Sequence, residues 1–271
     1  MRDITIGQYF PGKSPLHRMD PRTKLILVVA YVVMLFLANN LWALLVSVVF
    51  LAVVYPISGV PIKMSLRSVR TILPIILFTA ILNMFFVDGN ILWQWGFIKI
   101  TDKGILMMVL MTLRILCLII GTSLLTFTTS PISLTDGIEQ LFGPLKKLHL
   151  PVHEVAMMMT IALRFIPTLI EETDKIMSAQ KARGADMESG NLIQRIKALI
   201  PILIPLFVSA FRRADDLALA LESRCYHGGE GRTRMTQLKM SSVDVWGFVV
   251  MALALGATIA ANQFIHSFVI R

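Results

Sequence analysis

No charged residue falls between Leu25 and Ile57. A single membrane crossing takes about 20 apolar residues, so this run predicts two helices. Asn39-Asn40 is the natural turn between them, and Pro56, Gly59 and Pro61 end the second. Pro21 at a first helical position and Trp42 at an interface lengthen the two halves. Thr71 to Val87 predicts a third span, with Pro74 in its first turn. Asp88 to Lys103 reads as a mixed loop, in which Trp93 and Trp95 suit the headgroup level. Ile105 to Thr128 predicts a fourth span with Arg114 inside it, and Val245 to Ile265 a fifth.

Two other stretches change character halfway. One is apolar from Val155 to Ile170, apart from Arg164 and Pro167, and charged from Glu171 to Lys181. The other is apolar from Ala198 to Phe211 and then carries Arg212, Arg213, Asp215, Asp216 and Glu222. In that charged part Ala214, Leu217, Ala218 and Leu221 recur at helical spacing, so one face stays apolar. The block from Ala198 to Phe211 is short for a span and contains Pro201 and Pro205, which favours a buried or membrane-surface helix. Gly184 and the pair Gly228-Gly229 are predicted helix stops. The pattern predicts an all-α membrane protein with about five transmembrane helices. Residues 1–128 hold four of them, and 129–242 hold two long amphipathic helices ending near 184 and 225. Residues 243–271 hold the last span.

Composition agrees. The chain of 271 residues is 55% hydrophobic and 16% charged, with a mean hydropathy of +0.71, too apolar for a soluble domain of this size. The net charge of +9 is clustered. Arg2, Lys13, Arg18, Arg22 and Lys24 outnumber Asp3 and Asp20 before the first span, and Lys63, Arg67 and Arg70 follow the second with no acid among them. The positive-inside rule therefore places the N-terminus, the 58–70 loop and all of 129–242 in the cytoplasm, and the C-terminus outside. No basic patch interleaved with aromatics suggests nucleic acid. Cys117 lies in an apolar segment and Cys225 at a helix end, so no disulfide framework is expected. The polar N-terminal stretch leads into an apolar run without a cleavage pattern, unlike a removable signal peptide.

Candidate chemistry is sparse. Arg114 is the clear intramembrane charge; it either serves function or, lying toward the start of its helix, snorkels to the interface or pairs with a neighbouring carbonyl. His149 and His153 have a metal-ligand spacing, but Pro151 between them marks a helix start and no carboxylates complete a set. Gly228, Gly229 and Gly231 do not form a phosphate-binding loop, since no Gly-Lys-Ser/Thr follows. With no nucleophile elbow or zinc-protease motif either, no catalytic constellation is present and the chain is not expected to be an enzyme. Met157, Met158 and Met159, with Met177 and Met187 beyond, suit either ordinary core filling or an adaptable surface. The two long helices each end in an arginine flanked by small residues: Ala182-Arg183-Gly184 and Ser223-Arg224-Cys225. A cation at a helix end suits the dipole, and a guanidinium offers a planar fork to a carboxylate. Two such ends in adjacent helices point to a docking pair.

Three stretches carry a family resemblance. They are Leu16-His17-Arg18-Met19-Asp20-Pro21-Arg22-Thr23-Lys24-Leu25; Ala162-Leu163-Arg164-Phe165-Ile166-Pro167 followed by Ala179-Gln180-Lys181-Ala182-Arg183-Gly184; and Arg213-Ala214-Asp215-Asp216 through Glu222-Ser223-Arg224-Cys225-Tyr226. With the hydropathy pattern they resemble, over nearly the whole chain, the transmembrane T component of energy-coupling factor (ECF) transporters, the EcfT or CbiQ family. The paired X-Arg-X signatures are the specific part. Ser-Arg-Cys departs from the more usual Ala-Arg-Gly or Ser-Arg-Gly and puts in question how tightly that helix end turns. The resemblance implies an L-shaped protein in which crossed cytoplasmic coupling helices dock on two ATP-binding-cassette ATPase subunits (A and A′) through Arg183, Arg224 and their neighbours. It implies that the apolar faces, with Met157, Met158, Ile202 and Leu206, hold exchangeable substrate-binding S components for a vitamin or metal ion. ATP belongs to the partner ATPases and this chain binds no cofactor; its other partner is membrane lipid, and nucleic acid is not one. The alternative is a stand-alone permease or membrane-embedded enzyme. That should show polar or acidic residues near the midplane, and the first three spans have almost none beyond Asn83.

Overall fold

The computed structural model describes residues 9–95, 98–148, 151–185, 191–228 and 237–264. In chain order come α1 (Pro15–Arg18), α2 (Pro21–Leu37), α3 (Leu41–Ser58), α4 (Ile62–Phe86), β1 (Ile91–Trp95), β2 (Ile98–Thr101) and α5 (Asp102–Thr128). Then follow α6 (Pro131–Phe142), a short 3-10 helix (Gly143–Leu148), α7 (Val152–Ala182), α8 (Leu192–Glu222) and α9 (Ser242–Phe264). The described chain divides into two compact units. One comprises Gly7–Gly137 with Gln237–Arg271, the other mainly Ile138–Thr236.

The first unit is a helix bundle. The expected turn at Asn39-Asn40 is there: Asn40 caps α3, its side chain accepting from the Ala43 N–H at 3.0 Å. Asp20 caps α2 in the same way, ahead of Pro21, and Thr101 caps α5 by accepting from the Gly104 N–H at 3.0 Å. Tyr31, Met34 and Leu35 of α2 pack with Leu44 and Leu51 of α3, Cys117, Leu124 and Phe127 of α5 and Met251 of α9. Gly121 lets α5 approach α2, since a Cβ there would lie 2.2 Å from Tyr31 Cε1. The Tyr31 hydroxyl reaches past it to donate to Cys117 O at 3.2 Å, and the ring stacks on Phe50 at 5.8 Å.

Three features differ from the sequence reading. The mixed loop is a β-hairpin, with Gln94 opposite Lys99 and Trp95 opposite Ile98. The third span begins at Ile62, because charged residues do not stop a helix, and Pro74 therefore lies inside α4 and not in its first turn. Third, among the described residues five helices are long and apolar enough to cross a membrane: α3, α4, α5, α7 and α9 as far as Gln263. At 17 residues α2 sits at the lower end of the spanning range, whereas α7 qualifies through its apolar first half.

Candidate functional site

The two X-Arg-X segments form one structure built twice. At the end of α7 the Ala185 N–H bonds to Gln180 O and the Gly184 N–H to Lys181 O, both at 3.0 Å. At the end of α8 the Tyr226 N–H bonds to Leu221 O at 3.0 Å and the Cys225 N–H to Glu222 O at 2.8 Å. Each is a Schellman cap, in which these two bonds satisfy carbonyls that the helix end leaves open. Arg183 and Arg224 hold the same position, one residue before the left-handed one. That residue is Gly184 in α7, at φ +84°, and Cys225 in α8, at φ +53°. The departure Ser-Arg-Cys thus keeps the tight turn, although a side chain at positive φ costs about 1–2 kcal/mol. Ala182, Arg183, Gly184, Ser223, Arg224 and Cys225 are all exposed.

The helices bearing these ends run antiparallel. Glu172 of α7 accepts from Ser209 and, at 2.5 Å, from Arg213 of α8, while Gln180 Nε2 donates to Pro201 O at 3.2 Å. The last bond has a cause in the sequence. Pro205 has no N–H, so the carbonyl of Pro201 lacks its helical partner, and Gln180 supplies one. From Pro201 to Arg224 is roughly 35 Å of helix axis at about 1.5 Å per residue. Arg183 lies just beyond Gln180, so the two arginines occupy opposite ends of the crossed pair.

The line of α8 toward α7 contains Ile202, Leu206, Ser209 and Arg213, at steps of four, three and four residues. Ile202 is 4% exposed and Leu206 half-buried. This corrects the expectation that both face a partner: Ile202 is turned inward. The outward face carries Leu203, Ile204, Phe207, Val208 and Phe211, all exposed. In α7 Met158 is 60% exposed and Met157 half-buried. Periodicity could not sort these residues, because 14 charge-free positions in α8 leave no polar stripe to mark the outside. His153 Nδ1 meets Glu139 Oε1 at 2.9 Å, tying α7 to α6. His149, Met187, Gly229 and Gly231 lie outside the described residues.

The stretch from Leu16 to Leu25 also carries charged residues into the interior of its unit. Asp20, Lys24 and Asp244 are buried. The Asp244 carboxylate accepts from the Asp20 N–H at 2.9 Å and the Ser241 N–H at 2.7 Å. Lys24 Nζ donates to Thr128 O at 2.9 Å and Thr129 Oγ1 at 3.2 Å. Arg22 grips Asp20 through Nε at 3.1 Å and Nη2 at 2.8 Å and also reaches Leu238 O at 3.3 Å. Burial opposes the charge on Asp20, yet the hydrogen bonds from the Arg22 side chain and backbone outweigh it and hold the carboxyl below its usual range. One knot therefore pins the start of α2, the end of α5 and the start of α9. Arg114 pairs with a carbonyl: it donates to Ala38 O, at the C-terminal cap of α2, where a cation also suits the helix dipole.

A model of the cobalt transport protein family, CbiQ, matches residues 12–235. The chain is 56% identical over 245 residues to the energy-coupling factor transporter transmembrane protein EcfT of Ruminiclostridium cellulolyticum, covering 90% of this chain and 92% of that one. It is 48% identical over 258 residues to EcfT of Bacillus subtilis, covering 95% and 97%. EcfT of Lactococcus lactis is 46% identical over 259 residues. The bundle of apolar helices and the repeated X-Arg-X caps thus sit in a multi-pass membrane protein that belongs to the EcfT/CbiQ family, the T components of ECF transporters.

Proposed function

We propose that this T subunit transmits ATP-driven closure of two ATPase subunits to a substrate-binding S component, and that it carries out no catalysis itself. The observation that carries the reading is the duplicated cap: two exposed arginines in identical local geometry at opposite ends of an antiparallel helix pair. Each would insert into a different ATPase subunit and pair with an acidic residue there. The outward apolar face of α8 and Met158 would seat the S component, whose cargo is a vitamin or metal ion. ATP is bound by the ATPases and no cofactor by this chain. Residues 129–242 are cytoplasmic in this reading, with the N-terminus on the same side and the C-terminus outside. The charges from Glu171 to Lys181 support keeping that half of α7 out of the hydrocarbon.

The test is the double change Arg183→Ala with Arg224→Ala. Removing one partner of a buried ion pair costs about 2–5 kcal/mol, so losing two should abolish ATPase copurification and uptake. Insertion in the membrane should be normal, and Arg→Lys should rescue only in part, because lysine lacks the bidentate fork. Wild-type uptake by the double variant at normal expression would refute the coupling role. Sidedness can be read separately from the exposed thiol of Cys225, since Cys117 is buried. A membrane-impermeant maleimide should label Cys225 in inside-out vesicles and not in intact cells; labelling of intact cells would reverse the topology.

A further inference from the structure

Lys63, Arg67 and Arg70 are the only charged residues between Ser58 and Val87. They stand four and three residues apart in α4, so they fall within roughly 60° of arc at 3.6 residues per turn. Pro74, Leu77, Ile81 and Phe85 continue the same face, and all seven residues are exposed. The opposite face, with Ser65 and Ile76 buried, packs on the rest of its unit: Ser65 Oγ bonds Tyr55 Oη at 2.9 Å, and α4 lies along α5. Among the described residues, no ion pair engages the three cations.

From this stripe we infer a binding site for an anionic membrane phospholipid on the free face of α4. The three cations take the headgroup phosphate, and Leu77, Ile81 and Phe85 take an acyl chain. The dimensions fit. Pro74 to Phe85 rises roughly 16 Å, about half of the ~30 Å hydrocarbon core and hence the depth of one leaflet. The charge bias that orients a membrane protein depends on how many cations a loop carries, not on their standing in one line above an apolar stripe. A face that is cationic at the headgroup level and apolar below it matches one molecule of anionic lipid along its whole length. This site does not depend on how the T subunit couples to its ATPases.

The experiment uses the full chain with its co-purifying subunits, reconstituted in bilayers containing diazirine-tagged phosphatidylglycerol or phosphatidylcholine. Adducts on peptides of α4 are compared with those on α9, whose Leu253 is exposed and serves as the lipid-facing reference. Wild type should favour phosphatidylglycerol on α4 by about tenfold relative to α9, from the summed attraction of three cations. The decisive variant keeps the loop charge and breaks the line: Leu66→Arg with Arg67→Gln and Arg70→Gln with Thr71→Arg. It should reduce the preference to within about twofold while leaving topology intact. A second variant, Lys197→Gln with Arg212→Gln and Lys239→Gln, removes three exposed cations elsewhere and should retain the preference. The proposal fails if α4 shows no preference, if the preference survives the realigned charges, or if the second variant loses it equally. Loss of an associated subunit from the realigned variant with lipid preference unchanged would assign the stripe to a protein partner and also overturn it.

Discussion

The two units are both built from helices, of at most 27 residues in the bundle and of 31 in α7 and α8, and end up with opposite interiors. In the bundle Met34, Leu35 and Leu44 are fully buried, Phe127 is 1% exposed, and even Asp20, Lys24 and Asp244 are enclosed with partners. In the unit made mainly of Ile138–Thr236, Ala156 and Ile202 are the buried apolar residues among those described. Its helices meet along one line and leave Leu203, Phe207 and Phe211 uncovered. A face of that kind is stable in a finished assembly only if something covers it. The bundle thus has an enclosed core beneath its exposed apolar surface, whereas the helix pair has almost none; in the proposed reading its uncovered face is where the S component would sit.

That contrast can be tested by the same kind of insult on each side. The largest effect should come from the bundle. Asp244→Ala strands the buried N–H of Asp20, at about 1–3 kcal/mol, and removes the cap on the exposed Ser241 N–H. The detergent-solubilised protein should melt markedly lower, and an unchanged melting temperature would show the knot to be dispensable. An intermediate effect is expected from Phe207→Asp with Leu203→Asp. The protein should fold and keep its ATPases while losing most of the S component, because a carboxylate on that face is costly to bury. Release of the ATPases instead would mean that the two surfaces have been exchanged. The smallest change sharpens the comparison of the caps. Cys225→Gly relieves a side chain at positive φ and should slow amide exchange in the last turn of α8 by several-fold, for a gain of about 1 kcal/mol. Faster exchange would mean that the thiol makes a compensating contact.

Much of this architecture was legible in the sequence, because membrane helices announce themselves by charge-free runs and helix ends by small residues and glycine. The turn at Asn39-Asn40 and the stops after Arg183 and Arg224 were local signals of that sort. The buried knot was not local. Arg22 and Lys24 look like any cations ahead of a first span, and nothing in the neighbourhood of Asp20 points to a carboxylate 224 residues away. The start of α4 was hidden because Lys63, Arg67 and Arg70 interrupt an apolar run without interrupting a helix. The inward turn of Ile202 was hidden for the opposite reason: α8 there is charge-free on every side, and the side facing α7 is marked by contacts of Glu172 with Ser209 and Arg213 and of Gln180 with the carbonyl freed by Pro205.

The bond between Asp20 and Asp244 also sets a clock. At roughly 5–20 residues per second, a ribosome needs about 10–45 s to travel from one residue to the other. For that interval the newly inserted α2 waits in the bilayer with the Asp20 N–H lacking its acceptor and the gap for α9 unfilled. Closing the bundle therefore waits on the synthesis of α9, and until then α2 and α3 lack the helix that packs against both.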